Sequence, residues 1–188
     1  VTPDGSLLAQ SQRGFRLVLA RRDGTLVREY PPLRSQPYGL AWSPDGKRLR
    51  FTALGPDERR PWIWEVAVDG DAPTALWPGD GGKWTPDGRH YVFANQDEVE
   101  GRYDLHAVRE QRLLSFSPVR PVRLTFGPLS FTYVGPSPDG KRLFAWGTAA
   151  RGELLRFDAR RGRFETYLDG ASVCYVDVSR DGRWLTWV

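Results

Sequence analysis

Apolar and polar residues alternate along this chain in short runs, and the runs come in pairs about a turn. In "GLAWSPDGKRLRF", Leu40 and Trp42 share one face before the turn, and Leu49 and Phe51 share one face after it. The same columns return as Tyr91 and Phe93, Leu143 and Ala145, and Leu185 and Trp187. Period-two alternation on both sides of a turn predicts a half-buried β-hairpin. The turn has its own chemistry. Ser43 caps it, Pro44 fixes φ for the second position of a type I turn, and Asp45 takes the third. Gly46 takes the left-handed position that follows. Such a turn closes a tight hairpin with a bulge. The pattern predicts positive φ at Gly46, Gly88 and Gly140.

Each hairpin is followed by a second one. "RLVLARRDGTLVREY" turns at Asp23-Gly24, "WIWEVAVDGDAPTALW" at Asp69-Gly70, and "LLRFDARRGRFETYL" at Gly162. The third unit, "YDLHAVREQRLLSF", has no glycine at its turn and extends to "RPVRLTF". Two hairpins make four strands, a to d. The turn aspartates Asp4, Asp45, Asp87, Asp139 and Asp181 are spaced by 41, 42, 52 and 42 residues. A period near 40 to 45 residues is that of four-stranded propeller blades. The expected fold is therefore all-β, a β-propeller of four-stranded antiparallel blades, present as an incomplete arc of about four to five blades. The units fall at about 1–35, 36–78, 79–128, 129–170 and 171–188, forming one partial domain. About 17 strands are expected: three, four, four, four and two. The opening "VTPDG" reads as the tail of a unit that began earlier, so the chain is expected to be part of a longer protein.

At these residues the chain resembles the WD40-like repeat of TolB-type β-propellers, whose signature is W-S-P-D-G-[KR] followed by an alternating strand. "AWSPDGKRLRFTA" carries it most closely, and it recurs along the whole chain. Lys83 in "KWTPDG" and Arg180 in "VSRDG" depart from it. The segment from "RPVRLTFGPLSF" to "RRGRF" also resembles the carboxy-terminal propellers of bacterial multidomain regulators. In those proteins the propeller is joined to a winged-helix DNA-binding domain or a serine/threonine kinase domain, often across a membrane helix. That resemblance implies a non-catalytic interaction or ligand-sensing module of a larger regulatory protein, on the extracytoplasmic side. Two alternatives stay open. One is a propeller that gates a prolyl-oligopeptidase-like serine peptidase whose catalytic domain lies elsewhere. The other is a TolB-like periplasmic protein-interaction subunit.

Composition fits a folded chain: 188 residues, 40% hydrophobic, with 8 Trp, 7 Tyr and 9 Phe to fill a core between sheets. The formal charge is +4, but the basic residues are scattered and form no block, so direct nucleic-acid binding is not expected. No apolar run approaches the roughly 18 residues of a membrane span. Cys174 is the only cysteine and has no partner for an intrachain disulfide. It reads as a buried, inert thiol. No G-x-S-x-G, H-E-x-x-H or G-x-x-x-x-G-K occurs, and "DGDAP" lacks the terminal Glu of a calcium loop. His90 and His106 read as surface or locally bonded histidines, and the turn aspartates as structural. No catalytic residue, metal or cofactor is expected.

Function is then expected on loops. In an antiparallel blade the a–b and c–d turns lie at one end and the b–c and d–a loops at the other. The D-G turns are short, and the opposite end carries the longer, more variable segments, where binding residues gather. Tyr38, Trp62, Arg102, Tyr103 and Phe131 are the expected partner contacts, since aromatic and arginine side chains anchor interfaces. The competing reading is that some of these rings only pack between blades.

Overall fold

The computed structural model describes residues 1–98, 101–110, 120–149, 152–168 and 175–187. Among them it has seventeen β-strands and no helix. The chain divides into two compact units, Val1–Thr148 and Ala149–Val188.

Three sheets and a hairpin make up the first unit. Strands β1 (Leu7–Gln12), β2 (Arg16–Arg21) and β3 (Leu26–Glu29) form a three-stranded sheet. Strands β4 (Tyr38–Trp42), β5 (Arg48–Leu54), β6 (Pro61–Ala67) and β7 (Thr74–Pro78) form a four-stranded antiparallel sheet in chain order. A second four-stranded sheet runs β8 (Asp80–Trp84), β9 (His90–Gln96), β10 (Tyr103–Arg109) and β11 (Val122–Arg123). Strands β12 (Ser130–Pro136) and β13 (Leu143–Thr148) pair as a hairpin. The second unit has two hairpins, β14 (Leu155–Asp158) with β15 (Arg163–Thr166), and β16 (Val176–Val178) with β17 (Leu185–Trp187). Rings of Phe157 and Phe164 meet across β14–β15 at 5.2 Å.

The repeated turn is built alike in every unit. Gly46 N–H donates to Ser43 O at 2.8 Å, closing the type I turn. The Ser43 hydroxyl donates to Asp45 Oδ1 and accepts from Arg48 N–H, and Asp45 Oδ1 accepts from Lys47 N–H. Thr85 with Asp87, Ser137 with Asp139, and Ser179 with Asp181 repeat these bonds. Gly46, Gly88 and Gly140 have φ of 69°, 67° and 69°. They do a second job. A Cβ built on Gly46 would lie 3.6 Å from Pro3, one on Gly88 3.5 Å from Pro44, and one on Gly140 3.7 Å from Pro86. Each proline therefore rests on the turn of the next unit, and the same turn that sets the hairpin register spaces neighbouring sheets.

Packing of the four-stranded sheets departs from the half-buried hairpin that the alternation predicts. Strand β5 is buried on both faces. Leu49, Phe51 and Ala53 join Leu17, Leu19, Tyr30 and Val66 in one core. Tyr30 fastens the first sheet to the second, its hydroxyl donating to Ala67 O and Val68 O. On the other face, Ala41 and Ile63 join Trp84, Tyr91, Phe93 and Val108 in a second core. Polar residues of β5 lie in that second interface. The Arg50 side chain, 4% exposed, ion-pairs with Glu65 at 2.7 Å and Glu110 at 2.5 Å. Its guanidinium also lies 4.6 Å from the ring centres of both Trp84 and Tyr91. Thr52 is fully buried and accepts from Gly81 N–H across the sheets. A polar column that reads as solvent-facing thus bonds one sheet to the next.

Three outcomes follow from this packing. Gly→Val at position 46, 88 or 140 forces a β-branched residue into left-handed φ, and a loss of about 1 kcal/mol or more is expected in chemical denaturation. Unchanged stability in all three variants contradicts the turn. Arg50→Ala removes the buried guanidinium and leaves Glu65 and Glu110 to Arg48 alone, and a cost of about 1.5–3 kcal/mol is expected by the same measurement. Arg50→Ala within experimental error of the parent would sink the inter-sheet role.

The third outcome concerns pH. Hydrogen bonds from the turn hydroxyls, then from backbone N–H groups, hold Asp45, Asp87, Asp139 and Asp181 below the ordinary carboxylate range, and Asp4 at about 2. A depressed carboxylate contributes stability that is present above its unfolded value, about 3.9, and lost as pH falls through the folded value. Urea midpoints should therefore fall steadily from pH 4 toward pH 2. Asp45→Asn should make that slope shallower, and an unchanged slope contradicts the assignment.

Candidate functional site

All five residues expected to contact a partner lie at one end of the first unit, the end away from the D-G turns. Tyr38 opens β4, Trp62 is second in β6, Arg102 directly precedes β10, Tyr103 opens it, and Phe131 is second in β12. They divide by environment. Trp62 is half-buried and packs on the β5–β6 turn so closely that a Cβ on Gly55 would lie 2.1 Å from its ring. Phe131, also half-buried, lies 3.0 Å from where a Cβ on Gly147 would stand. These two rings have packing roles. Arg102 is half-buried. Tyr38 and Tyr103 face a residue that the sequence reading did not select, Asp80.

Asp80 opens β8 as Tyr38 opens β4, seven residues ahead of the turn aspartate in each unit. Both strands bulge at this point, where Gly39 and Gly81 have φ of 64° and 54°. The bulges bring the two backbones together: a Cβ on Gly39 would lie 3.6 Å from Gly81 Cα. Tyr103 N–H donates to Ser130 Oγ at 3.1 Å, drawing β10 to the start of β12, which also packs on β8 and β9. Desolvation, then a hydrogen bond to Asp80 and its charge, raises the Tyr38 phenol well above the tyrosine range, with Tyr103 and Tyr133 adding to the shift. Tyr103 is raised by burial and by the Asp80 charge. Tyr133 is 70% exposed and Tyr38 46% exposed, so the group opens to solvent. The available signal for Asp80 was its position, an acidic residue in the first place of a strand a that another unit fills with tyrosine.

A charged cavity of about 300 Å³ lies at the same end, lined by Arg60, Asn95, Asp97, Glu98, Asp104, His106 and Arg123 among others. Its charges are matched within the protein. Arg60 pairs with Glu98 at 2.6 Å, and Arg123 pairs with buried Asp104 at 2.6 Å. Thr125 donates to the second Asp104 oxygen. His106 stacks on Phe93 and its Nδ1 lies 3.1 Å from Asp104 O, so it is locally bonded. His90 opens β9, its N–H bonded to the Thr85 hydroxyl. Cys174 lies outside the described residues. No group of three or more metal-ligating side chains occurs among the described residues.

The fold is that of a β-propeller with TolB-like, WD40-like repeats. It is similar to a putative TolB from Agrobacterium tumefaciens, at 24% identity and TM-score 0.60, over 88% of this chain and 62% of that one. It is also similar to TolB from Acinetobacter baumannii, at 19% identity and TM-score 0.58, over 98% of this chain and 46% of that one. The β-propeller domain of Cps50 (Swd1) from Myceliophteria thermophila matches at 18% identity and TM-score 0.57, over 99% of this chain and 60% of that one. No protein-family model matches the chain, and no curated protein sequence matches it significantly. The chain spans less than two thirds of the TolB structures that it resembles.

Asp80 links the phenols electrostatically. In Asp80→Asn, Tyr38 and Tyr103 should ionise at lower pH than in the parent, because the negative charge that opposes phenolate formation is gone. An ultraviolet alkaline titration checks this. Identical titration curves would separate Asp80 from the two tyrosines.

Proposed function

We propose that the chain is a non-catalytic interaction module of a larger regulatory protein, and that a partner docks on the end formed by the b–c and d–a loops. The observation that supports this most is the gathering of Tyr38, Tyr103, Tyr133 and Asp80 with Trp62, Arg102 and Phe131 at one end of a scaffold locked by its turns. Aromatic and arginine side chains on a rigid frame are the usual anchors of protein interfaces. The non-catalytic reading rests on the sequence, which has no nucleophile elbow, no metal-binding spacing and no phosphate loop. One similar structure is titled hydrazine synthase, at 23% identity over 53% of that chain, and it shares the fold alone.

The reading frame enclosing the chain separates the wider contexts. An adjoining winged-helix or kinase domain supports the regulator, and a nucleophile elbow downstream replaces it with a peptidase. The docking end is tested by placing a photoreactive benzoylphenylalanine at position 38 or 131, with position 141 at the turn end as control. Crosslinks to a discrete protein are expected from positions 38 and 131 and not from 141. Equal crosslinking at all three positions contradicts the assignment.

A further inference from the structure

The charged cavity between the two four-stranded sheets keeps hydrogen-bonding capacity that its ion pairs do not use. Strand register builds its wall. Asp104 pairs with Asn95 across β9 and β10, and His106 lies between Phe93 on β9 and Arg123 on β11. Residues two apart on a strand share a face. Asn95, Asp104, His106 and Arg123 therefore stand on one face of that sheet, the face from which Phe93 joins the second core. Arg60, next to β6, and Pro78, which ends β7, line the same cavity from the other sheet. Asn95 is half-buried, and its side-chain amide has no hydrogen-bond partner among the described residues. The Arg60 Nε–H is buried without one. His106 Nδ1 lies 3.1 Å from Asp104 O, which puts the ring proton on Nδ1 and leaves Nε2 as an acceptor.

The charges limit what can enter. Three carboxylates, Asp97, Glu98 and Asp104, face two guanidiniums, Arg60 and Arg123, and each carboxylate is ion-paired. An anion would meet excess negative charge, and a cation would have to displace an arginine. No three side chains of metal-ligating type come together among the described residues. The capacity left over is uncharged on balance: a donor at Arg60, an acceptor at His106, and an amide at Asn95 that is both. We propose that this cavity binds a neutral sugar ring through adjacent hydroxyls. A hydroxyl both donates and accepts and turns to suit its neighbour, so two adjacent hydroxyls can serve a mixed set of this kind. Pro78 gives the ring carbons an apolar surface. A volume of about 300 Å³ is at the lower end for ligand pockets, which suits one ring and not a chain of them. The inference goes beyond the docking reading: it stands on the cavity wall and needs no protein partner.

The methyl glycosides of glucose, galactose, mannose and N-acetylglucosamine are titrated into the isotopically labelled full chain and followed by amide NMR. Inorganic phosphate and N-acetyl-lysine amide are the charged controls. At least one sugar should move the Asn95 side-chain amide and the Gln96 and His106 backbone amides saturably, in the millimolar range, and the controls should not. Asn95→Ala, read at Gln96 and His106, should weaken that sugar about tenfold or more. No saturable shift with any of the sugars, saturation of the same signals by phosphate or by the lysine amide, or an unchanged affinity in Asn95→Ala overturns the site. If Asn95→Ala disturbs signals across the whole spectrum, Arg60→Lys takes its place. It keeps a positive charge beside Glu98 and removes the Nε–H, and an unchanged affinity there likewise overturns the site. The two readings fail separately. Crosslinks from positions 38 and 131 without a sugar response remove the cavity site alone, and a sugar response without discrete crosslinks removes the docking end alone.

Discussion

A blade between two others must bury both of its faces, and β5 meets that demand with a guanidinium. One face needs nothing unusual: Leu49, Phe51 and Ala53 close on Leu17, Leu19 and Tyr30. The other carries Arg50 and Thr52, and burying a charge there is costly unless it is paired and hydrogen-bonded. Arg48 and Arg50 share Glu65 from the neighbouring strand of the same sheet and Glu110 from the next sheet, so their two charges are balanced only when the two sheets are together. The rings of Trp77, Trp84 and Tyr91 lie against the Arg50 guanidinium. The interface is therefore specific as well as apolar. Sliding one sheet along the other would part Glu110 from Arg48 and Arg50 and leave two guanidiniums to Glu65 alone.

The turns act on the same problem from the edge. A Ser/Thr-Pro-Asp-Gly turn fixes where strand a meets strand b, and its glycine gives the preceding proline a flat place to rest. Register within a sheet and spacing between sheets come from one four-residue device. With the turn end fixed, the opposite end is fixed too. The first residues of β4, β6, β8, β10 and β12 are carried to one rim, where Tyr38, Trp62, Asp80, Tyr103 and Phe131 are found.

How much of this could be read from the sequence follows from range. The turns were legible because every bond in them spans at most five residues, so the positive φ of Gly46, Gly88 and Gly140 followed from the quoted pattern. The strand alternation was legible as well, and the all-β fold with it. The burial of the polar column was not. Arg50 looks like any exposed strand arginine, and only the distant Glu110 and Trp84 show otherwise. The gathering of candidate residues at one end was legible from strand direction alone. Their division was not, because Trp62 owes its packing to Gly55 and Phe131 to Gly147, contacts that composition does not reveal. Asp80 was overlooked for a similar reason: the bulges of β4 and β8 bring its strand against the start of β4, a property of the folded surroundings.

The two ends of the first unit treat their carboxylates differently, and this difference bears on function. At the turn end each repeated aspartate uses Oδ1 locally, on a hydroxyl two residues back and an N–H two residues on. At the loop end, Glu98, Asp97 and Asp104 pair instead with arginines distant in sequence, Arg60 and Arg123. The turn end thus fixes each hairpin by itself, while the loop end is tied together by pairs between residues far apart in the chain. The scaffold's rigidity then matters, because contacts that are already in place lose the least free energy on binding.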